Sequence, residues 1–415
     1  MTWWQHFIWK IIYPLVGKLA SAALPVFGTK KIKEWFKKRK LIRLTHSSPK
    51  LEQKSILFFC PSMGEFESIK SIARQFNKKE YFVEITFFSP SGYEGAKSYV
   101  DLYHRISYSP VDIKEEVRLF FEHRNPDLIV ISTLAIWPTL LTYAFENRIP
   151  FYFVGVHLNQ NLRKKIYLQS LDYLLKVASG ISTIDSGSKE ILAKIGIDAD
   201  CDGDPRIDSI QKDLEFLSPD IQLFKQYISN KKVLICGSSY SNEEEIILKA
   251  LGGLKRRGFS IIIAPHNIDR AHQIKSQFSE FTLYSEINFT SFPDFIILDK
   301  IGLLKHLYQF ADITFIGGGL SHKLHNIAEP MISESVVCFG PNYKNSLLAI
   351  EWSQLIPEAV ISNERDFIHF IELTAMQSNL HIKRENLISK HKSNITSLVQ
   401  KIIKSTNHLI GININ

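Results

Sequence analysis

The sequence predicts an α/β protein made of two doubly wound parallel sheets, and three observations carry that prediction. Short apolar runs recur between helical patterns, among them SILFFC at 55–60, LIVIS at 128–132 and VLIC at 233–236. Strand and helix alternate along the chain, which implies parallel strands with helices on both faces. The 415 residues exceed one ordinary core, so two domains are expected. A hydrophobic content of 45% with 22% charged residues is that of a globular chain. The cysteines Cys60, Cys201, Cys236 and Cys338 are widely separated, with no metal or redox spacing. That pattern fits a reducing compartment and offers no disulfide framework.

Taken in order, the chain begins with an aromatic and aliphatic segment, 1–28, broken by His6, Lys10, Pro14 and Lys18. A basic run follows: residues 30–43 carry eight Lys and Arg side chains against one acid, Glu34. The segment lacks the ~20 clean apolar residues of a confident membrane span, and its charges follow the apolar part, unlike a signal peptide. Residues 1–45 are therefore read as an interfacial anchor with a basic collar facing anionic lipid. The competing reading is a helix packed on its own protein. No nucleic-acid-binding motif accompanies the charge.

The first α/β half is placed at 46–210, with strands at 55–60, 82–88, 128–132 and 151–156. After the first of these, Ser62, Met63, Gly64 and Glu65 turn into a helix. Ligands in such sheets sit beyond the carboxyl ends of the strands, which is where Glu65 falls. A carboxylate in a first turn is also a simple partner for the helix dipole. The second half is placed at 226–385, and polar helices at 386–415 end the chain, the last one free to cross back. No Walker sequence and no GxGxxG follows the first strand, so ATPase and dehydrogenase readings lack support.

The most informative stretch is 311–345, read as strand, three glycines (Gly317, Gly318, Gly319), a helix, a second strand and a Gly-Pro turn. Glycines after a strand permit close backbone approach to a ligand, and a helix start there would bind phosphate. Asn326 and Glu329 have capping-box spacing; the sharper reading gives Glu329 the ribose hydroxyls of a nucleotide sugar. His322 and His325 with Glu329 could also meet one metal ion, a reading the capping arrangement competes with.

These motifs resemble the 3-deoxy-D-manno-octulosonic acid (Kdo) transferase family. Ser62-Met63-Gly64-Glu65 is similar to that family's S-x-G-E, and Ser89-Pro90-Ser91-Gly92 to its second strand–helix turn. Gly203-Asp204-Pro205-Arg206-Ile207-Asp208 resembles its interdomain motif. Gly237-Ser238-Ser239, Ala264-Pro265-His266, Ile301-Gly302-Leu303, the glycine triplet and His325-Asn326-Ile327-Ala328-Glu329-Pro330 match its donor motifs in order. The resemblance implies two Rossmann-like domains (GT-B) with an N-terminal membrane-associated helix. It implies an inverting transfer of Kdo from CMP-Kdo to a lipid A precursor, with no metal or other cofactor. It places the enzyme on the cytoplasmic face of the inner membrane, with an anionic glycolipid acceptor and no nucleic acid partner. By the same resemblance Glu65 is the general base, and Ser62, Gly64, Ser91 and Gly92 lie on the acceptor side. Pro265, His266, Ile301, Gly302, Leu303, Asn326 and Glu329 would hold the CMP moiety, with Gly318, Gly319, Ser238 and Ser239 at the donor. Arg206 is the candidate cation for the leaving phosphate, its competing reading being a plain surface charge.

The chain departs from the family's pattern in four places. No acid precedes Trp137 in 132–137, and 156–159 replaces N-x-R-x-S. The 299–304 run lacks a Glu, and Lys323-Leu324 stand where glycines precede the His-Asn pair. A transferase using another activated sugar, and a non-catalytic membrane-bound paralogue, are the competing functional readings.

Overall fold

The computed structural model describes residues 13, 16–19, 33, 35–39, 53–76, 79–158, 172–215, 219–228, 231–287 and 292–410, with side chains to 405. The chain forms two compact units, Met1–Ser209 with His391–Asn415, and Ile210–Lys390.

The first unit holds a seven-stranded sheet: β1 Lys54–Phe59, β2 Tyr81–Phe87, β3 Arg105–Tyr108, β4 Leu128–Ser132, β5 Phe151–Val156, β6 Gly180–Thr183 and β7 Asp200–Cys201. Their order is β3-β2-β1-β4-β5-β6-β7, and every pairing is parallel. Alternate residues of β1 serve opposite cores, as the period of two requires. Ile56 and Phe58 pack with Phe66, Ile69 and Ile72 of helix α1 (Met63–Ala73). Leu57 and Phe59 pack on the other face with Ile129, Ile131 and Phe153. The last helix, Ile395–Ile410, inserts Ile395, Leu398, Val399 and Ile402 into the α1-side core, which makes it part of this unit. Each such side chain contributes roughly 1.5–3 kcal/mol on burial.

One charged group breaks the apolar pattern of the sheet. Glu84 in the middle of β2 is buried, and Ser107 donates to it at 2.6 Å. Burial raises its carboxyl, but Arg124 and Arg105 overcome that and hold it below the usual range.

The second unit has six parallel strands: β8 Lys232–Ser239, β9 Phe259–Pro265, β10 Thr282–Leu283, β11 Phe295–Ile297, β12 Ile313–Ile316 and β13 Val336–Phe339. Their order is β10-β11-β9-β8-β12-β13. In both sheets the chain winds outward from its first strand, then returns to its other side. The reversal lies between β1 and β4 in one sheet and between β8 and β12 in the other. Such switch points open a crevice at the carboxyl ends, because the flanking loops leave in opposite directions.

Most of the anchor and collar, 1–12, 14–15, 20–32, 34 and 40–45, lies outside the described residues. Among the described residues no helix is long and apolar enough to cross a membrane. Of the described residues of the segment, some pack on the first unit, while Val16 and Leu19 are 58% and 64% exposed. Tyr13 joins the core face of β4 and β5, and Lys18 pairs with Glu115 at 2.5 Å. Arg39 is buried, its guanidinium 4.7 Å from the Trp35 ring and 4.9 Å from Phe88. Trp35 donates from Nε1 to the Phe88 carbonyl at 3.0 Å. Arg39 therefore faces protein, because a guanidinium between aromatic faces is held by cation–π attraction once water is excluded, while Lys33, Lys37 and Lys38 are exposed.

Candidate functional site

The first unit's switch point is built around the start of α1. Ser62 precedes the helix in extended conformation and donates its hydroxyl to Glu65, in the first turn. The backbone carbonyl of Glu65 accepts from Ser132 Oγ at the end of β4, at 2.6 Å. Two neighbouring strands thus fix one carboxylate: β1 supplies the helix that carries it and β4 supplies the hydroxyl that holds its backbone. Gly64 is exposed beside it. The Cys60 thiol below is pushed well up by burial and by the charge of Glu65, so it stays an inert thiol.

Beside this, Ser89 Oγ accepts from Gly92 N at 3.1 Å and lies 3.3 Å from Ser91 Oγ. Ser91 is exposed, whereas Gly92 is buried against Phe87, where a Cβ would come within 2.5 Å of the ring. The pairs Phe59–Trp137, Trp137–Phe88 and Phe88–Trp35 run along the same edge at 4.8–5.1 Å between ring centres.

In the second unit, β8 ends in Ser238, with a left-handed φ of 52°, and Ser239, which is buried. Pro265 pairs with Ser239, and His266 donates its backbone N–H to the Ser239 carbonyl at 2.9 Å. Helix α3 (Ser241–Arg256) starts here, and its first turn contributes two buried carboxylates. Glu243 accepts from the backbone N–H of Tyr240 at 3.1 Å and of Leu320 at 3.2 Å. Glu244 is raised by burial, against the pull of Ser239 and the two-pronged Arg270. This helix start is therefore already supplied with anions by its own sequence.

Above it stands a cluster that spacing in the sequence does not reveal. The Tyr240 ring lies 5.0 Å from His266, 4.3 Å from His322 and 5.7 Å from His325. His266 and His325 stack at 4.6 Å, and His325 Nε2 is 3.3 Å from the Tyr240 hydroxyl. Burial, His266 and His322 together hold His325 below its ordinary value. An imidazole held low by burial and two neighbouring imidazoles is a favourable place for a bound anion, which would offset that effect.

The glycine triplet does a different job from the one its sequence announces. A Cβ on Gly317 would lie 2.1 Å from the Ser238 carbonyl oxygen, and one on Gly319 would lie 2.6 Å from Gly340 N. Gly318 has φ 90°, a left-handed conformation, with the Lys323 carbonyl against it. These residues let three strand ends touch, so their approach is to neighbouring backbone. The expected helix start is also corrected. Residues 320–327 are not helical, and helix α4 covers only Ala328–Ile332. Its N-cap is Ile327, and Asn326 Oδ1 accepts from Ala328 N at 3.0 Å, two residues on. Asn326 Nδ2 lies 3.5 Å from Glu329 Oε1. The local Asn326 turn competes with the helix and wins because Asn bonds its own following backbone readily. So short a helix has little dipole to offer phosphate.

Glu329 is half-buried, and it joins burial and Cys236 in pushing the Tyr308 hydroxyl well up. Ile301 is 83% exposed, Gly302 has φ 93°, and Leu303 is buried. Arg206 belongs to the first unit. Its Nε lies 2.9 and 3.0 Å from the two oxygens of buried Asp204, and its Nη2 2.5 Å from one of them. Asp204 thus takes Nε and one edge of the guanidinium, while the Arg206 side chain stays 40% exposed. Among the described residues no group of three or more His, Cys, Asp or Glu is arranged to hold a metal ion. His322 and His325 turn to Tyr240 instead.

Comparison with known proteins places these motifs. A sequence model described as 3-deoxy-D-manno-octulosonic-acid transferase (kdotransferase) matches residues 33–209. A bifunctional glycosyltransferase/methyltransferase of Fusobacterium nucleatum is 25% identical over 411 residues, covering 94% of this chain and 63% of that protein. This chain thus spans less than two thirds of that relative's length. A 3-deoxy-D-manno-octulosonic acid transferase of Aquifex aeolicus is 25% identical over 285 residues, covering 68% and 74% of the two chains. Among solved structures, the UDP-GlcNAc 2-epimerase of Neisseria meningitidis has a TM-score of 0.60 at 13% identity, covering 85% of this chain and 100% of that one. A glycosyltransferase of Rickettsia africae has a TM-score of 0.55 at 14% identity, covering 87% and 100%. At these identities the structural likeness speaks for the fold alone.

Proposed function

We propose that this chain, a relative of the Kdo transferases, is a glycosyltransferase that moves Kdo from CMP-Kdo to a lipid A precursor. The observation that carries the reading is the placement of the motifs. The S-x-G-E carboxylate stands at the switch point of one parallel sheet, and Ser238, Ser239, His266, His325 and the glycine triplet gather at the switch point of the other. Glu65 is the general base in this reading: its Oε accepts from Ser62 and its backbone is pinned by Ser132. Such a base contributes about 10²–10⁴-fold when it meets the acceptor hydroxyl. Attack from the face opposite the leaving group inverts the anomeric carbon, and the proton passes to Glu65 as the bond to CMP breaks.

The leaving CMP develops phosphate charge. His266, His322 and His325 supply protonatable groups there, in addition to the candidate cation Arg206, whose Nε and Nη2 bond Asp204. Glu329, half-buried beside Tyr308, is the acceptor for ribose hydroxyls. The reading calls on no metal. The N-terminal segment would bring the first unit to an anionic membrane surface where the acceptor resides, on the cytoplasmic side of the inner membrane.

A second reading, transfer of a different activated sugar, is favoured by one observation: the Fusobacterium relative, which aligns along 94% of this chain, is named only as a glycosyltransferase/methyltransferase. The test is product mass after incubating the purified protein with CMP-Kdo and a tetraacyl lipid A precursor. A gain of one or more Kdo units is the expected result. No gain, with thermal protection by a UDP-sugar and none by CMP, would replace the first reading with the second.

A further inference from the structure

We propose that His157, held by Asp185, is a hydroxyl-recognising subsite for the sugar acceptor on the first unit; the assignment of an acceptor to this unit rests on the function proposed above. His157 directly follows β5, and Asp185 lies two residues beyond the end of β6. The imidazole Nδ1 lies 2.9 Å from Asp185 Oδ2. Asp185 also caps helix α2 (Ser186–Ala193), accepting from Ser188 N at 2.8 Å and from Ser188 Oγ at 2.7 Å. Ser188 Oγ in turn accepts from Leu158 N at 2.9 Å, so the backbone just after His157 is fixed as well.

The cap is complete without the histidine. Asp185 needs only the Ser188 donors to close the helix start, so the imidazole is an addition that capping does not explain. The strand is also irregular just before it. The pairing of β5 with β6 slips between Phe153 and Val156, and Gly155 there has φ 67°. A bulge of this kind re-aims the side chains beyond it, and bulges gather beside functional sites. At Gly155 a Cβ would come within 3.4 Å of Ser68 on α1, so the glycine also lets β5 lie close under the helix that carries Glu65.

The orientation fixes the chemistry. His157 and Ser188 hold the Asp185 carboxyl below its usual range against the upward push of burial, which keeps it ionised. In the neutral ring, an ionised carboxylate at Nδ1 places the proton on that nitrogen and leaves the Nε2 lone pair outward. The His157 side chain is 32% exposed, so Nε2 has solvent access. A lone pair so presented accepts a hydrogen bond from a hydroxyl, and a sugar acceptor is rich in those. β5 lies two strands from β1, about 10 Å across the sheet edge, on the same carboxyl end as Glu65.

The experiment uses the full chain with His157→Ala, His157→Gln and Asp185→Asn, CMP-Kdo as donor and tetraacyl lipid A precursor as acceptor. His157→Ala is expected to raise the acceptor KM about 10-fold or more, the loss of one hydrogen bond to a partner left unpaired. Its kcat should change less than threefold, and CMP should protect it from heat as it protects the wild type. His157→Gln, which keeps an acceptor atom, is expected to recover most of the loss, and Asp185→Asn to share it. An acceptor KM within twofold of wild type in both His157→Ala and Asp185→Asn would overturn the proposal. A second readout separates this proposal from the catalytic reading. In wild-type protein the ¹⁵N resonance of His157 Nε2 should shift as a neutral, hydrogen-bonded nitrogen when the precursor is added, even if no Kdo is transferred. An unshifted resonance, or one showing a doubly protonated ring against a phosphate, sinks the hydroxyl subsite.

Discussion

The carboxyl edges of the two sheets share a topology and differ in chemistry. The first presents carboxylates whose oxygens and backbone are tied by neighbouring hydroxyls: Glu65 with Ser62 and Ser132, and Asp185 with Ser188 and His157. The second keeps its carboxylates buried, Glu243 on backbone N–H groups and Glu244 on Arg270, and presents a tyrosine with three imidazoles. One winding of strands therefore carries two different sets of side chains, and the proposed function reads them as a proton-accepting edge and an anion-meeting edge. The difference lies in burial: Glu65 and Asp185 stay partly exposed, whereas Glu243 and Glu244 are buried.

The largest expected effect breaks the first edge alone. Glu65→Gln should lower Kdo transfer about 10²–10⁴-fold, measured by product mass against time, with the fold unchanged by circular dichroism. Transfer within threefold of wild type would remove Glu65 from the role of base. The next breaks the second edge through its backbone. Gly317→Ala places a methyl against the Ser238 carbonyl and should cost about 1–3 kcal/mol or more, read as a lowered midpoint in thermal unfolding. An unchanged midpoint would mean the strand ends part without cost.

A smaller effect sharpens the comparison through protons. His325 sits below its ordinary value because of burial, His266 and His322, so an anion bound there should draw protons in. CMP affinity is expected to rise as pH falls from 8 toward 6. Calorimetry in two buffers of different ionisation heat should show proton uptake. Tyr240, Glu243, Glu244, Arg270 and Glu329 also belong to this edge. Proton release on binding would contradict the assignment of phosphate to the histidines.

The smallest concerns stability. Asp112 is raised to about 6 by burial, against hydrogen bonds from Thr139, Leu140 and Tyr13. Because its folded value lies above the unfolded one, its protonated form favours the fold, and that contribution is complete below about pH 4. It is lost as pH rises through 6, on the order of 1–3 kcal/mol. Asp112→Asn should flatten the fall in stability between pH 4 and 6.5 seen in chemical denaturation. A slope equal to that of wild type would refute the assignment.

What the sequence made legible follows from which forces are local. The runs at 55–60, 128–132, 151–156 and 233–236 read as strands because buried parallel strands are apolar on both faces. β3 was not recognised: RISY at 105–108 alternates, and its Arg105 answers Glu84, 21 residues away. The GGG-to-helix reading failed where a local turn at Asn326 outcompeted the helix, since capping-box spacing suits either outcome. Tyr240 escaped notice because its ring partners lie 26, 82 and 85 positions along the chain. His157 and Asp185, 28 apart, are brought together only by the pairing of β5 with β6.

The division of labour between the two edges is tested most directly by the dissociation constant of CMP in two variants, Glu65→Gln and His325→Ala. The account predicts that Glu65→Gln binds CMP within twofold of wild type while His325→Ala binds about 10-fold or more weakly, one charge-assisted hydrogen bond being lost. Equal weakening in both, or wild-type affinity in His325→Ala, would contradict it.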